Sequence, residues 1–345
     1  MKVAVVSPYA LDRPGGVQRQ CSGLITGLTE AGHNAWLVGP GRSGPEGSKL
    51  ISSSTPVPAN RSVAPIGLDP RLGARLRAAI DGADLVHVHE PLTPLVSWAA
   101  LRAAVPLVGT FHADPPPWVR VIYRVGRLAV AAAIGRLSAA TAVSKVAAEA
   151  VADLTDRVEV IPNGVSTAAF RPGDRGEQRV AFLGRDEPRK GLDVLLEAWP
   201  VIAAANSEAE LVVMGAVRAS APPGVRLLGE VDEDRKQGEL AQTDVLCAPN
   251  LGGESFGIAV VEAMASGCAV VASDLPGFRD TLGGAGLLVP PGDPQALAAA
   301  VSSLLQDMDR RARLQEAART RAKEFDWSVV LPAYEAVYER VLHGG

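Results

Sequence analysis

Cysteine is scarce in this chain. Cys21, Cys247 and Cys268 are the only three in 345 residues, an odd number, widely spaced and with no C-x-x-C pair. Neither a disulfide framework nor a zinc site is suggested, and a reducing cytoplasm is the simplest setting. Long hydrophobic runs are missing too. Val3 to Val6 is too short for a signal-peptide core, and nothing approaches the roughly 18 apolar residues of a spanning helix. Membrane contact is therefore expected to be peripheral. Charge of one sign is also lacking: 34 Lys+Arg stand against 38 Asp+Glu, a formal net of -4. No nucleic acid or other whole-chain polyionic partner is implied. There is neither an internal repeat nor a low-complexity tract.

What is present is a globular composition, 47% hydrophobic and 21% charged, at a length that favours two domains. The charge is unevenly placed. Residues 1 to 166 hold 16 Lys+Arg and 12 Asp+Glu, so the N-terminal half carries the positive excess and is the better candidate for meeting an anion. Short apolar runs recur at Val3 to Val6, Ala35 to Val38, Leu85 to Val88, Leu107 to Thr110, Ala140 to Val143 and Val158 to Ile161. Between them lie helical stretches, with a Ser/Pro/Gly-rich connection at 39 to 62. That alternation predicts a doubly wound parallel sheet. Pro162-Asn163-Gly164 and the Pro172 to Gly176 segment interrupt it. A second series then starts, with strands expected at Val180 to Leu183, Leu211 to Met214, Val225 to Leu228, Val245 to Ala248, Ala269 to Ala272 and Leu287 to Val289. Helices are expected at 191 to 204, 257 to 266 and 294 to 325. The expected fold class is α/β, two Rossmann-like domains in tandem: residues 1–166, residues 167–326, and a terminal helix at 327–345. Val330, Tyr334, Val337 and Tyr338 share one face of that helix, so it should dock on a domain.

Four segments can carry chemistry. Pro14-Gly15-Gly16-Val17-Gln18 follows a strand and opens a helix, where backbone amides suit a phosphate; the same residues also fit a plain turn. Gly39, Gly41 and Gly44 match G-x-G-x-x-G but run into a serine-rich loop rather than a helix, and are rejected as a dinucleotide fingerprint. Arg185, Arg189 and Lys190 gather three cations at the equivalent place in the second series. Cations at a helix start are disfavoured unless an anion sits among them, which points to a phosphate. Glu254, in Gly252-Gly253-Glu254-Ser255-Phe256-Gly257, lies eight residues before Glu262 on the helix that follows. That is roughly 80° of helical rotation, so Glu262 is expected to point toward Glu254 unless it is a surface residue. His112 follows a strand, at the end where open α/β sheets bind ligands. His87 and His89 are read as structural.

Together these residues resemble the retaining GT-B glycosyltransferases of family 4, in particular the actinobacterial phosphatidylinositol mannosyltransferases. The resemblance spans the chain: Ser7-Pro8-Tyr9 and PGGVQ, HVHEP at 87 to 91, TFH at 110 to 112, IPNGV at 161 to 165, EPRKG ending at 191, CAPNLGGESFGIAVVEAMASG at 247 to 267, and FDWS at 325 to 328. It implies two Rossmann-like domains facing across a cleft, an acceptor held by the first and a nucleotide sugar by the second, with the last helix returning to the first. It also implies roles. Arg185 and Lys190 neutralise the donor diphosphate, and Gly16 completes that contact from across the cleft. Glu254 and the amides of Phe256, Gly257 and Ile258 hold the sugar and nearby phosphate, Glu262 binds the ribose, and Lys236 lies near the base. His112 touches the transferred sugar, so the catalytic set is His112, Arg185, Lys190 and Glu254. Tyr9, Gln18 and Asn60 bind the acceptor.

The implied reaction moves mannose from GDP-mannose to phosphatidylinositol or a related inositol lipid, peripherally at the cytoplasmic face of the cell membrane. No tightly bound cofactor is called for, and no ligand cluster indicates Mg2+. The alternatives are a family-4 enzyme using a UDP- or GDP-sugar with a soluble acceptor, and a non-catalytic two-domain nucleotide-ligand-binding protein. For the membrane, Arg120, Arg124 and Arg127 recur at helical spacing beside Val121, Ile122, Val125 and Leu128, and Arg71 and Arg75 form a similar pair. One stripe of an anionic-surface-binding helix is expected there, against the plain alternative of a solvated face.

Overall fold

The computed structural model describes residues 1–13, 15–59, 62–67, 71–115, 117–155, 157–173 and 178–344. Asn60, Pro14 and the Asp174 to Gly176 part of the interrupting segment lie outside them. The strands are β1 (Lys2–Val6), β2 (Asn34–Gly39), β3 (Lys49–Leu50), β4 (Ser54–Ala59), β5 (Ser62–Gly67), β6 (Leu85–His89), β7 (Leu107–Phe111), β8 (Ala139–Ala142) and β9 (Val158–Val160). They continue with β10 (Arg179–Leu183), β11 (Glu210–Met214), β12 (Val225–Gly229), β13 (Val245–Ala248), β14 (Ala269–Ser273) and β15 (Leu287–Val289). The chain divides into two compact units, one of Met1–Gly164 with Trp327–Gly345, the other of Val165–Asp326.

The first unit is built on a parallel sheet in the order β3-β2-β1-β6-β7-β8-β9. Side chains alternate across a strand, and β1 shows both faces buried. Val3 and Val5 pack with Cys21, Leu24 and Leu28 of the Gly16–Glu30 helix and with Val330, Tyr334, Val337 and Tyr338 of the Trp327–His343 helix. Ala4 and Val6 pack on the other side with Leu72 and Leu76 of the Leu72–Ile80 helix and with Val96 and Ala100. The terminal helix thus belongs to the first unit, and each large apolar side chain it buries contributes about 1.5–3 kcal/mol. Two glycines let it approach: a Cβ on Gly23 would lie 2.6 Å from the Trp327 ring, and one on Gly164 2.4 Å from it.

The second unit has the parallel order β12-β11-β10-β13-β14-β15. Val180, Phe182, Leu211, Val213, Val245, Cys247 and Val271 meet Leu195, Trp199 and Ile202 of the Leu192–Ala205 helix and Leu297, Val301 and Leu304 of the Pro294–Gln306 helix. In each sheet the first strand of the unit lies inside, with later strands added on both sides. Such reversals leave a crevice at the carboxyl ends, here beyond β1 and β6 and beyond β10 and β13.

Three expectations need correcting. The stretch 294 to 325 is not one helix: it breaks at Asp307, whose carboxylate accepts from the Arg310 amide at 2.8 Å and caps a new helix, Met308–Ala322. A capping Asp terminates one helix as readily as it starts another. The connection at 39 to 62 contains β3 and the hairpin strand β4, paired antiparallel with β5 and with Pro56 opposite Pro65. Those prolines, which remove ladder donors, are why a strand was not expected. The arginine stripe is also divided, because Gly126 separates the helices Pro117–Val125 and Arg127–Ile134.

Candidate functional site

In the second unit the carboxyl end of β10 leads into Gly184 and Arg185, then a single 3-10 turn, Pro188–Lys190. Gly191 closes that turn at φ 71°, a left-handed conformation natural to glycine. A Cβ there would lie 1.8 Å from the carbonyl oxygen of Pro249, so only glycine lets this turn rest on the chain leaving β13. The Leu251 amide donates to the Arg189 carbonyl at 2.8 Å and ties the two loops again.

On that base Lys190 Nζ donates to Glu254 Oε2 at 2.6 Å, and Asn250 Nδ2 donates to the same oxygen at 2.9 Å. Burial would raise the Glu254 pKa, but Lys190, Arg189 and Asn250 outweigh it and hold the carboxylate below its ordinary value. Arg189 pairs with Glu187 at 2.9 Å and donates to the Gly253 carbonyl at 3.3 Å. Arg185 is more open, reaching Glu187 at 3.0 Å. The expected cation cluster is therefore real in space, but two acids, Glu187 and Glu254, stand among its members.

Glu262 occupies the Ile258–Ala265 helix and is buried, which removes the surface alternative. It does not share the partners of Glu254. Lys236 Nζ, also buried, donates to Glu262 Oε1 at 2.7 Å and lies 2.7 Å from the more open Glu233. The aromatic ring of Phe170 stands 5.4 Å from the same ammonium. Phe256 is buried edge-on against Phe325, and its carbonyl accepts from Thr281 at 2.6 Å. Gly257 caps the helix that opens at Ile258, its carbonyl accepting from the Val260 and Val261 amides at 2.9 and 3.2 Å, while the amides of Ile258 and Ala259 stand at the open start of the helix.

In the first unit the crevice end of β1 carries Ser7 and the half-buried Tyr9, whose phenol is pushed above its ordinary pKa by burial and by Glu90. Gly16 is the exposed first residue of its helix, and Gln18 Nε2 holds the Ala10 carbonyl at 3.1 Å. At the carboxyl ends of β6 and β7 three histidines form a buried cluster, His87 and His89 within β6 and His112 just after β7. His87 bonds the Tyr338 hydroxyl at 2.7 Å and Thr110 Oγ1 at 2.6 Å. His89 stacks on His87 with ring centroids 4.4 Å apart, and its Nδ1 meets His112 Nε2 at 2.7 Å. Burial pushes the pKa of His87 and of His112 down to about 3, and that of His89 well below the ordinary value, so all three rings are neutral. Glu90 adopts φ 49°, and its Oε1 accepts from the His112 amide at 2.8 Å.

Sequence reasoning read His89 as structural only, and passed over Glu90, Asn250 and Asn163, whose side chain hydrogen-bonds His112. A signal for the first was available: His87 and His89 lie two apart on one strand, hence on one face, in register with Val108 and Thr110 of β7. Among the described residues no group of His, Cys, Asp and Glu side chains is arranged to hold a metal ion, and no helix is long and apolar enough to cross a membrane.

Two parallel-sheet Rossmann-like units, with the last helix packed on the first, make up the GT-B fold. The chain belongs to glycosyltransferase family 4: residues 14–169 match the model of Glycosyltransferase Family 4, and residues 177–307 that of Glycosyl transferases group 1. It is similar to the phosphatidyl-myo-inositol mannosyltransferase of Mycolicibacterium smegmatis, 38% identical over 100% of this chain and 95% of that protein. The Mycobacterium leprae protein of the same name is 38% identical, covering 100% of this chain and 98% of the relative. Among solved structures, Anabaena HepE in complex with UDP and glucose shares the fold, with a TM-score of 0.78 at 20% identity, over 98% of this chain and 99% of that one.

Proposed function

We propose that this glycosyltransferase moves mannose from GDP-mannose to the inositol ring of phosphatidylinositol or a related inositol lipid, at the cytoplasmic face of a membrane and with retention at the anomeric carbon. The observation that carries this reading is similarity over the entire chain to phosphatidyl-myo-inositol mannosyltransferases. The chemistry fits. Departure of a nucleoside diphosphate is the step that needs help, and fixed cations stabilise the charge that develops on it. Lys190 and Arg185 supply that charge, Glu254 takes the sugar hydroxyls, and the amides of Phe256, Gly257 and Ile258 receive the remaining oxygens. Glu262 and Lys236 serve the ribose and base. In the first unit, Gly16 adds an amide for the phosphate, Tyr9, Gln18 and Asn60 take the acceptor, and a neutral His112 hydrogen-bonds the transferred sugar. A buried imidazole with so low a pKa is a poor proton acceptor, so a donor phosphate oxygen takes the acceptor proton.

The membrane face is the pair of helices around Gly126. Trp118, Val121, Ile122, Val125 and Leu128 are exposed there, the last two at 84% and 89%, with Arg124 and Arg127 beside them. Arg120 is engaged by Asp114 at 2.8 Å, so apolar insertion, with Arg124 and Arg127, replaces a pure arginine stripe as the binding element. The test is transfer of labelled sugar from GDP- and UDP-sugars to phosphatidylinositol and to inositol phosphate. Transfer from GDP-mannose to the lipid is expected. Transfer to inositol phosphate alone establishes the soluble-acceptor alternative, and no transfer from any donor leaves a binding protein.

A further inference from the structure

The proposed role of His112 demands that one ring nitrogen present the right face to a sugar oxygen, and a lone imidazole on a loop has two tautomers and a soft χ2. Two adjacent residues at the carboxyl end of β6 remove that freedom. His89 Nδ1 meets His112 Nε2 at 2.7 Å, and the two rings meet edge to edge with centroids 5.0 Å apart and planes inclined at 27°. Glu90 Oε1 takes the His112 main-chain amide at 2.8 Å. Glu90 does so from φ 49°, a conformation that costs a non-glycine residue energy and persists where surrounding structure imposes it.

We infer that His89 and Glu90 are positioning residues for His112, His89 setting its tautomer and Glu90 its main-chain placement. The direction of the ring-to-ring bond follows from what is left over. His89 Nε2 is buried with no hydrogen-bond partner. Burying a bare lone pair there is easier than burying an orphaned N–H, so the His89 proton sits on Nδ1 and is donated to His112 Nε2. His112 then carries its own proton on Nδ1, the donor of that ring, with the Asn163 side chain as a further hydrogen-bond partner of the imidazole. Burial keeps both rings neutral and raises the Glu90 pKa to about 7, so near neutral pH its carboxyl is about half protonated and no charge resides on the imidazoles.

This inference rests on the proposed contact between His112 and the sugar, and the test separates the two. Asparagine places a polar atom where Nδ1 of histidine stands, and glutamine places one where Nε2 stands. In transfer from GDP-mannose to phosphatidylinositol, His89→Asn should retain most of kcat. His89→Gln and His89→Ala should lose about 10- to 100-fold, the scale of a small misplacement at a reacting centre, with donor KM within about twofold. Glu90→Gln, which keeps the acceptor oxygen, should likewise outperform Glu90→Ala. Glutamine equal to asparagine at position 89, or an unchanged kcat in His89→Ala while His112→Ala is inactive, overturns the inference alone. A fully active His112→Ala overturns the sugar contact and this inference with it. Nitrogen-15 NMR of histidine-labelled protein reads the tautomer without turnover. One Nδ1–H form of His112 is expected in the wild type and a mixture in His89→Ala; an Nε2–H form in the wild type refutes the assignment whatever the kinetics.

Discussion

Replacing Glu262 by alanine should unfold the second unit more easily before it changes any chemistry. The carboxylate and the Lys236 ammonium are each only about one-twentieth exposed, and their atoms lie 2.7 Å apart. Removing one partner from such a pair leaves a buried charge and typically costs about 3–5 kcal/mol. Glu233 remains 2.7 Å from the same ammonium but is 60% exposed, and a bridge to a solvated carboxylate is worth at most about 1 kcal/mol. The expected loss for Glu262→Ala is therefore near the bottom of that range, about 3 kcal/mol. Changing both partners to apolar residues, Lys236→Met with Glu262→Leu, removes the uncompensated charge and should recover most of it. Trp199 is the only tryptophan between residues 165 and 326 and is fully buried. With fluorotryptophan labelling, its resonance follows unfolding of this unit in urea apart from the other. A loss below about 1 kcal/mol for the single change, or a double variant no better than the single, refutes the reasoning.

Lys190→Ala and Arg185→Ala should each lower kcat by about 10²-fold or more, the scale of one preorganised charge contact, and steady-state kinetics with saturating donor reads it. Glu254→Gln should damage turnover more than GDP affinity, and Glu262→Ala the reverse; calorimetry with GDP at a temperature where both are folded decides, and unchanged affinity in Glu262→Ala ends the ribose assignment. Acid should loosen the first unit early. His87, His89 and His112 stay neutral when folded but protonate near pH 6.5 when unfolded, so each withdraws stability as pH falls below that value, by about 1.4 kcal/mol per unit. Glu90 acts oppositely: its pKa of about 7 is raised, so its contribution is complete below the ordinary carboxylate value and fades as pH rises through 7. Between pH 5 and 6.5 the net slope should be near two protons, steepening to three in Glu90→Gln, and denaturation midpoints across that window measure it.

The strand alternation was legible because parallel strands buried on both faces are short apolar runs, as β1, β6, β10 and β13 are. The loops that hold Arg185, Lys190 and Glu254 were legible for another reason: cations gathered at a helix start are disfavoured unless an anion is near, and glycines on both sides of Glu254 break the apolar pattern. What sequence spacing could not supply was partnership. Eight residues of helix suggested that Glu262 approaches Glu254, whereas a lysine 26 residues upstream takes one and a lysine 64 residues upstream the other. The histidines show the same limit, since no local pattern brings Tyr338 to His87 across 251 positions.

That last bond has a kinetic corollary. The core face of the first unit is completed by the Trp327–His343 helix, so its folding nucleus can gather residues 1–164 early but cannot close until the whole second unit has been synthesised. Loop closure over such a span is slow compared with local folding. During synthesis, Cys21, Leu24, Leu28 and the Gly23 groove stand uncovered while Val165–Asp326 folds as a self-contained insert. Refolding from denaturant should then run in two phases, with the second unit first, and a chain ending at Asp326 should keep the fluorescence of a buried Trp199 while exposing apolar surface in the first unit to a hydrophobic dye.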